Sequence, residues 1–462
     1  MKNKLLILSV FTLFCGFASA QNESALADEM TVLVNAPDFS VVRNWQNTFT
    51  ISSHGKYLVK DTLGMTSATT GTVSFFSALI TDTISNLSIS DMKFVDNYAF
   101  ICGSIRVSST PGTVIRRGVL GYFDVNEFYA YNMLSIKLHV YEDVKGFSKL
   151  VAYNDITDYK VVAIGDYKLS VSGGLLYPSC IVEDLVMNPI ATNYFKWVTY
   201  DTTSLYPREY LTDLLLVDNQ VVFVGYLYRM GVLPYPYNTL SIRVADKHDV
   251  TGTISNRNLY DTGVDEIVGN VRATYLQDNH FALSYLYHDG ITGDFFTRIR
   301  TIDANSMKMV CSQEFQTYDK DEPIEMAYDS LNNILTILHP MPFFSLVSYS
   351  QSYFVQINPF TTYSYNASVL ISKEVLLSSI DMFSDEYYVS TGGNHWYYQH
   401  TIAPQPNFNG CPDHKEIIVK PLPNPDRTND PNTPLGVYSV VTMDTRSALV
   451  NTTTIDLQCD DN

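Results

Sequence analysis

The chain has 462 residues, 48 Asp and Glu against 30 Lys and Arg, and a formal net charge of −18. That balance excludes the clustered positive charge with which proteins bind nucleic acid or anionic membrane surfaces. With 33 Tyr and 24 Phe and no long window rich in Ala, Leu, Glu and Lys, the composition favours pleated, half-buried surfaces over helices.

Residues 1–20 have the layout of a secretory signal: Lys2 and Lys4, an apolar run over 5–17, then Ala18-Ser19-Ala20 before Gln21. The run is too short for a membrane span, and no later stretch reaches the roughly 18 uninterrupted apolar residues of a transmembrane helix. The expectation is an exported chain (periplasmic, cell-surface or secreted) with no transmembrane segment once the signal is cleaved. Cys15 leaves with the signal. Cys102, Cys180 and Cys311 sit in apolar, strand-like runs and read as core residues, since a free thiol packs as a small hydrophobe. Cys411 and Cys459 flank the C-terminal segment and are the pair expected to form a disulfide.

Along the chain, one unit recurs. Residues 93–95 lead into Asp96-Asn97 and then an apolar stretch closing on Gly103; residues 214–217 lead into Asp218-Asn219 and a stretch closing on Gly225. Asp and Asn accept the positive φ that a two-residue hairpin turn demands, so each unit predicts two antiparallel strands. Looser copies turn at Asp158, Asp278-Asn279, Asn332-Asn333 and Asp385, with an earlier one over 53–60. The turns at 96, 158, 218, 278, 332 and 385 are spaced by 62, 60, 60, 54 and 53 residues. About thirty residues after several hairpins comes a second landmark, an apolar strand ending in an acid or amide: 119–124, 240–246, 295–303 and 353–358. It reads as a third strand turning into a fourth.

In this spacing and hairpin pattern, residues 40–410 resemble the β-propeller superfamily. The resemblance implies an all-β ring of about seven four-stranded blades, with six or eight also compatible. Neither a regular Trp-Asp pair nor a recurring double glycine assigns a subfamily. The alternative architecture is two β-sandwich domains in tandem, which also produce regular hairpins. On this reading residues 21–410 form the propeller. Residues 411–462, with prolines at 412, 421, 423, 425, 431 and 434, form a linker and a C-terminal strand segment that closes or caps the ring. The strand-like 31–34 or 437–443 would complete an end blade.

Catalytic signatures are sparse. There is no Gly-x-Ser-x-Gly elbow and no phosphate-binding glycine loop, and no cofactor is implied. No metal site is expected either. His395 and His400 are five apart and would face opposite sides of a strand, and Asp426, Asn429, Asp430 and Asn432 depart from calcium-loop spacing. Adjacent acids occur at Glu142-Asp143, Asp265-Glu266 and within 319–322, where paired carboxylates could hydrolyse a glycosidic bond. Candidate ligand-binding residues are the aromatics of two loops: His395, Trp396, Tyr397 and Tyr398 after a glycine pair, and Tyr235 and Tyr237 around Pro236. Such rings stack on sugars and anchor protein partners. The expected function is an exported, non-enzymatic propeller binding a glycan or protein partner through loops at one mouth; the alternative is a secreted glycoside-active enzyme using carboxylates near the channel.

Overall fold

In the computed structural model, backbone is described for the strands between 39 and 457. Side chains are described principally within 90–105, 115–124, 137–168, 179–184, 210–226, 239–250, 271–317, 325–339, 353–369 and 417–427. Among the described residues every regular element is a β-strand, and all pairings are antiparallel.

The strands follow one another as meanders. The first comprises β1 (Phe39–Arg43), β2 (Asn47–Ser52), β3 (Tyr57–Thr62) and β4 (Val73–Ser77); the second, β5 (Asn86–Val95), β6 (Tyr98–Thr110), β7 (Thr113–Asp124) and β8 (Met133–Tyr141). The third is built from β9 (Val144–Asp155), β10 (Asp158–Tyr167), β13 (Ser179–Leu185) and β14 (Thr192–Val198), with a small hairpin of β11 (Leu169–Val171) and β12 (Gly174–Leu176) between its halves. The fourth has β15 (Arg208–Val217), β16 (Gln220–Arg229), β17 (Tyr237–Asp246) and β18 (Arg257–Tyr260). In the fifth, the short β19 (Glu266–Ile267) and β20 (Arg272–Tyr275) both pair β21 (His280–His288), followed by β22 (Phe295–Asp303) and β23 (Lys308–Gln316). The sixth has β24 (Glu325–Asp329), β25 (Ile334–Met341), β26 (Gln351–Ile357) and β27 (Tyr365–Ser372), and the last β28 (Leu377–Phe383), β29 (Glu386–Thr391) and β30 (Gln399–Ile402).

The first strands of successive meanders touch in cyclic order. β1 packs on β5, β5 on β9, β9 on β15, β15 on β20, β20 on β24, β24 on β28, and β28 returns to β1. This is the order of a propeller-like ring, with these first strands innermost, and not of two sandwiches in tandem. The chain ends in β31 (His414–Pro421), β32 (Arg427–Asp430), β33 (Val437–Val441) and β34 (Thr445–Leu457), which pair with strands of earlier meanders.

Why the second strands are unbroken apolar runs follows from burial on both faces. In β16, Val222 and Val224 point into the core shared by the fourth and fifth meanders, while Val221 and Phe223 point into the core shared with the third. β10 divides in the same way: Val161 and Ala163 face the second meander, Val162 and Ile164 the fourth. A strand with cores on both sides has no polar face, so the period-two alternation disappears from its sequence.

The turns behave as their chemistry requires. Asp96, Asp218, Asp278, Asn279 and Asn333 have positive φ, between 50° and 62°. The copy at Asp158 differs slightly, because Asp158 is already in β10 and pairs with Asp155 of β9. The apolar runs ending at Asp124, Asp246 and Asp303 are the third strands β7, β17 and β22 of their meanders.

The glycines that close the second strands have a shared cause. In β5 the register skips Ser90, between Ile89, paired with Gly103, and Asp91, paired with Cys102. In β9 it skips Ser148, beside Phe147 and Gly165; in β15 it skips Thr212, beside Leu211 and Gly225. Each skip is a β-bulge, and opposite those at Ser148 and Thr212 there is no room for a side chain. A Cβ on Gly225 would stand 1.9 Å from the carbonyl oxygen of Tyr210, and one on Gly165 would stand 2.5 Å from that of Gly146. Gly225→Ala is therefore expected to destabilise the fold by about 2–3 kcal/mol, read as a lowered thermal midpoint. Gly290→Ala, where a Cβ meets nothing within 4 Å, is the control expected to leave it unchanged.

Candidate functional site

Each bulge hands the next residue to the centre of the ring. After Ser90 comes Asp91, after Ser148 Lys149, and after Thr212 Asp213. Arg272 on β20 and Glu325 on β24 join them from inner strands without a bulge. Five charged groups from five inner strands thus form one electrostatic cluster, in which Lys149 and Asp213 each feel Asp91 and Arg272.

Lys149 is the hub. Its Nζ lies 3.5 Å from Glu325 Oε1, although β9 and β24 belong to the third and sixth meanders. Burial alone would lower the pKa of such an ammonium. The carboxylates of Asp91, Glu325 and Asp213 more than offset that effect, and its pKa is raised. The cluster carries three acids against two bases, so its formal charge is −1 when all five are ionised.

Two of the acids also fasten neighbouring strands. Asp91 Oδ2 accepts a hydrogen bond from the Leu150 amide at 3.0 Å, joining β5 to β9. Asp213 Oδ2 accepts from the Ala273 amide at 3.0 Å, joining β15 to β20, and its Oδ1 accepts from Leu214 at 2.9 Å. The bulge residue Thr212 adds a donor to the Val271 carbonyl at 2.7 Å. Asp213 is only 7 % exposed, and burial pushes its carboxyl pKa up against the opposing pull of Lys149 and Arg272. Glu325 is the more open acid, at 22 % exposure.

A second polar cluster lies between the second and third meanders. His139 Nδ1 stands 2.7 Å from Asp184 Oδ2, which also accepts the Tyr141 hydroxyl. Asp184 is 1 % exposed, and its Oδ1 is buried without a hydrogen-bond partner among the described residues. Burial works against a charge on His139, but the hydrogen bond and the negative charge of Asp184 outweigh it and raise its pKa above 6.5.

The residues singled out in sequence fare differently. Cys102, Cys180 and Cys311 are buried free thiols, as expected of core residues. His395, Trp396, Tyr397, Tyr398, Tyr235, Cys411 and Cys459 lie outside the described residues, as does the side chain of Tyr237. Of the adjacent acids, Glu142 pairs with Arg117 in the turn between β8 and β9, and Glu266 is on β19, paired with β21. Neither belongs to the central cluster. The Asn429-Asp430 pair is in strand β32 and not in a loop. Among the described residues no group of three or more His, Cys, Asp or Glu side chains is arranged to hold a metal ion, and no helix is long and apolar enough to cross a membrane.

No family model matches the chain, and no curated protein matches it. Among solved structures it is similar to the GH32 beta-fructofuranosidase BmSUC1 of Bombyx mori, at 8% identity and a TM-score of 0.30, over 91% of each chain. It is similar also to a xylan beta-1,4-xylosidase from Bacillus halodurans, at 8% identity and a TM-score of 0.27, over 91% of this chain and 96% of that one. A glycosyl hydrolase from Bacteroides ovatus aligns over 59% of this chain and 86% of its own, at 10% identity and a TM-score of 0.22. Likenesses of this depth leave the chemistry of the chain to its own residues.

The His139–Asp184 pair has a defined pH signature. A histidine whose folded pKa is raised contributes stability that is complete below its unfolded pKa and is lost as pH rises through the folded value. The thermal midpoint is expected to fall as pH is taken from about 6 toward 9. His139→Gln should flatten that part of the profile, measured by thermal melts across the pH range.

Proposed function

We propose that the protein is an exported glycoside-active enzyme whose reacting carboxyl groups are drawn from Asp91, Asp213 and Glu325. The observation that carries this reading is the gathering of three acids, from three non-adjacent inner strands, around the half-buried ammonium of Lys149. Glycosidic hydrolysis needs one carboxyl that holds its proton and one that stays ionised. Asp213, with its raised pKa, suits the proton donor. Glu325, 3.5 Å from the Lys149 ammonium and 22 % exposed, is the carboxyl placed to be its partner.

A second reading keeps the ring non-enzymatic, binding a glycan or protein partner through loops at one mouth. It is favoured by the brace-like bonding of Asp213, whose two oxygens both accept backbone amides. Under that reading the cluster fastens inner strands, and recognition falls to loop aromatics such as Trp396.

The two readings separate in one experiment. The mature chain is assayed against a panel of aryl glycosides and polysaccharides beside Glu325→Gln and Asp213→Asn, with the thermal midpoint of each recorded. The enzyme reading predicts turnover of at least one substrate and a loss of about 100-fold or more in kcat for Glu325→Gln. If the wild-type chain turns over nothing on the panel, and Asp213→Asn acts only by lowering the midpoint, the enzyme reading fails and the brace stands.

A further inference from the structure

The last four strands run backward around the ring. β31 pairs β27 of the sixth meander through His414–Val419, then touches β23 of the fifth through Lys420 and Pro421. β32 pairs β18 of the fourth, and β33 pairs β14 of the third. β34 pairs β8 of the second from Thr445 to Thr453, then β4 of the first from Thr453 to Leu457. Every strand it meets is the last of its meander, so the C-terminal segment is a further strand laid on successive outer edges.

We infer that residues 414–457 form a perimeter strap that holds the ring closed from outside. Two features carry the inference. First, β31 and β34 each pair with two neighbouring meanders, so that the sixth is tied to the fifth and the second to the first by main-chain hydrogen bonds. Neighbouring meanders otherwise join through side-chain cores and single side-chain hydrogen bonds such as those of Asp91 and Asp213, and a strand shared between two of them resists their separation directly. Second, the strap is seated by side chains on the fifth meander. Asn424 Nδ2 donates to the Met309 carbonyl at 2.9 Å, and its Oδ1 accepts from Ser312 Oγ at 2.7 Å. Arg300 Nη1 donates to the Pro423 carbonyl at 3.2 Å, and the Leu422 amide donates to the Ser312 carbonyl at 2.8 Å. Val419 is fully buried in the core of the fifth and sixth meanders while Ile418 is 60 % exposed, the alternation of a strand lying flat on a sheet edge.

The prolines fit this path. Pro421 is the last residue of β31, and Pro423 and Pro425 follow it before β32, where no ladder donor is needed. The strap also covers row after row of outer-edge N–H and C=O groups that would otherwise template pairing with another chain.

The test uses the full mature chain with a protease site inserted between residues 405 and 410, cleaved after folding. The strap predicts that the C-terminal fragment co-elutes with the ring in gel filtration. When the fragment is displaced by mild urea, amides of β8, β18 and β27 should lose protection from hydrogen exchange, and the ring should elute as larger species. Ser312→Ala with Asn424→Ala, introduced into the cleavable chain, should speed release of the fragment by at least about 5-fold through the lost hydrogen bonds. A fragment that separates on cleavage, from a ring that stays monomeric with unchanged midpoint and unchanged outer-strand protection, would overturn the inference.

Discussion

Burial on both faces is the constraint from which the rest of this structure follows. A sheet whose second strand sends Val222 and Val224 into one core and Val221 and Phe223 into another has no face to offer solvent. It needs a neighbour on each side, and so does its neighbour. Closing the series on itself meets that demand for all of them, and the first strand of each meander is thereby driven to the centre. There the chain must put something other than apolar side chains. Asp91, Lys149, Asp213, Arg272 and Glu325 meet that need: Lys149 pairs with Glu325, Asp91 and Asp213 accept amides of adjacent strands, and Arg272 adds positive charge beside them.

The bulges connect architecture to chemistry. Skipping Ser90, Ser148 or Thr212 re-aims the residue that follows and places its charge among the inner strands. The same event accounts for the glycine opposite, so a motif with no visible purpose in sequence has two ends, one steric and one electrostatic. Glu325 and Lys149 are the more open members of the cluster, and Asp91 and Asp213 the more enclosed.

What could be read beforehand was what short-range physics imposes. Asp-Asn turns announce hairpins because few residues tolerate positive φ, and Asp96, Asp218 and Asp278 adopt it. Their spacing yielded a propeller-like ring with third strands in place. The central cluster was hidden because its members lie 53 to 64 residues apart and none is adjacent in sequence to another acid. Adjacent acids are the more visible pattern, and of these the fold places Glu142-Asp143 in a turn and Glu266 on β19. A signal was present: a Ser or Thr followed by a charge inside an apolar first strand, matched by a glycine ending the second. The strap was illegible for another reason. Its strands are interrupted by proline and paired with partners from 44 (Leu370 with His414) to 384 (Val73 with Leu457) residues away. No local pattern can specify such partners.

The claim that charged inner strands meet at the centre of a closed ring is tested most directly by a double-mutant cycle between Lys149→Met and Glu325→Gln, read in folding stability. These residues belong to meanders three apart, and they interact only if the ring brings β9 and β24 together. The account predicts a coupling of about 1 kcal/mol or more. Strictly additive effects would contradict it.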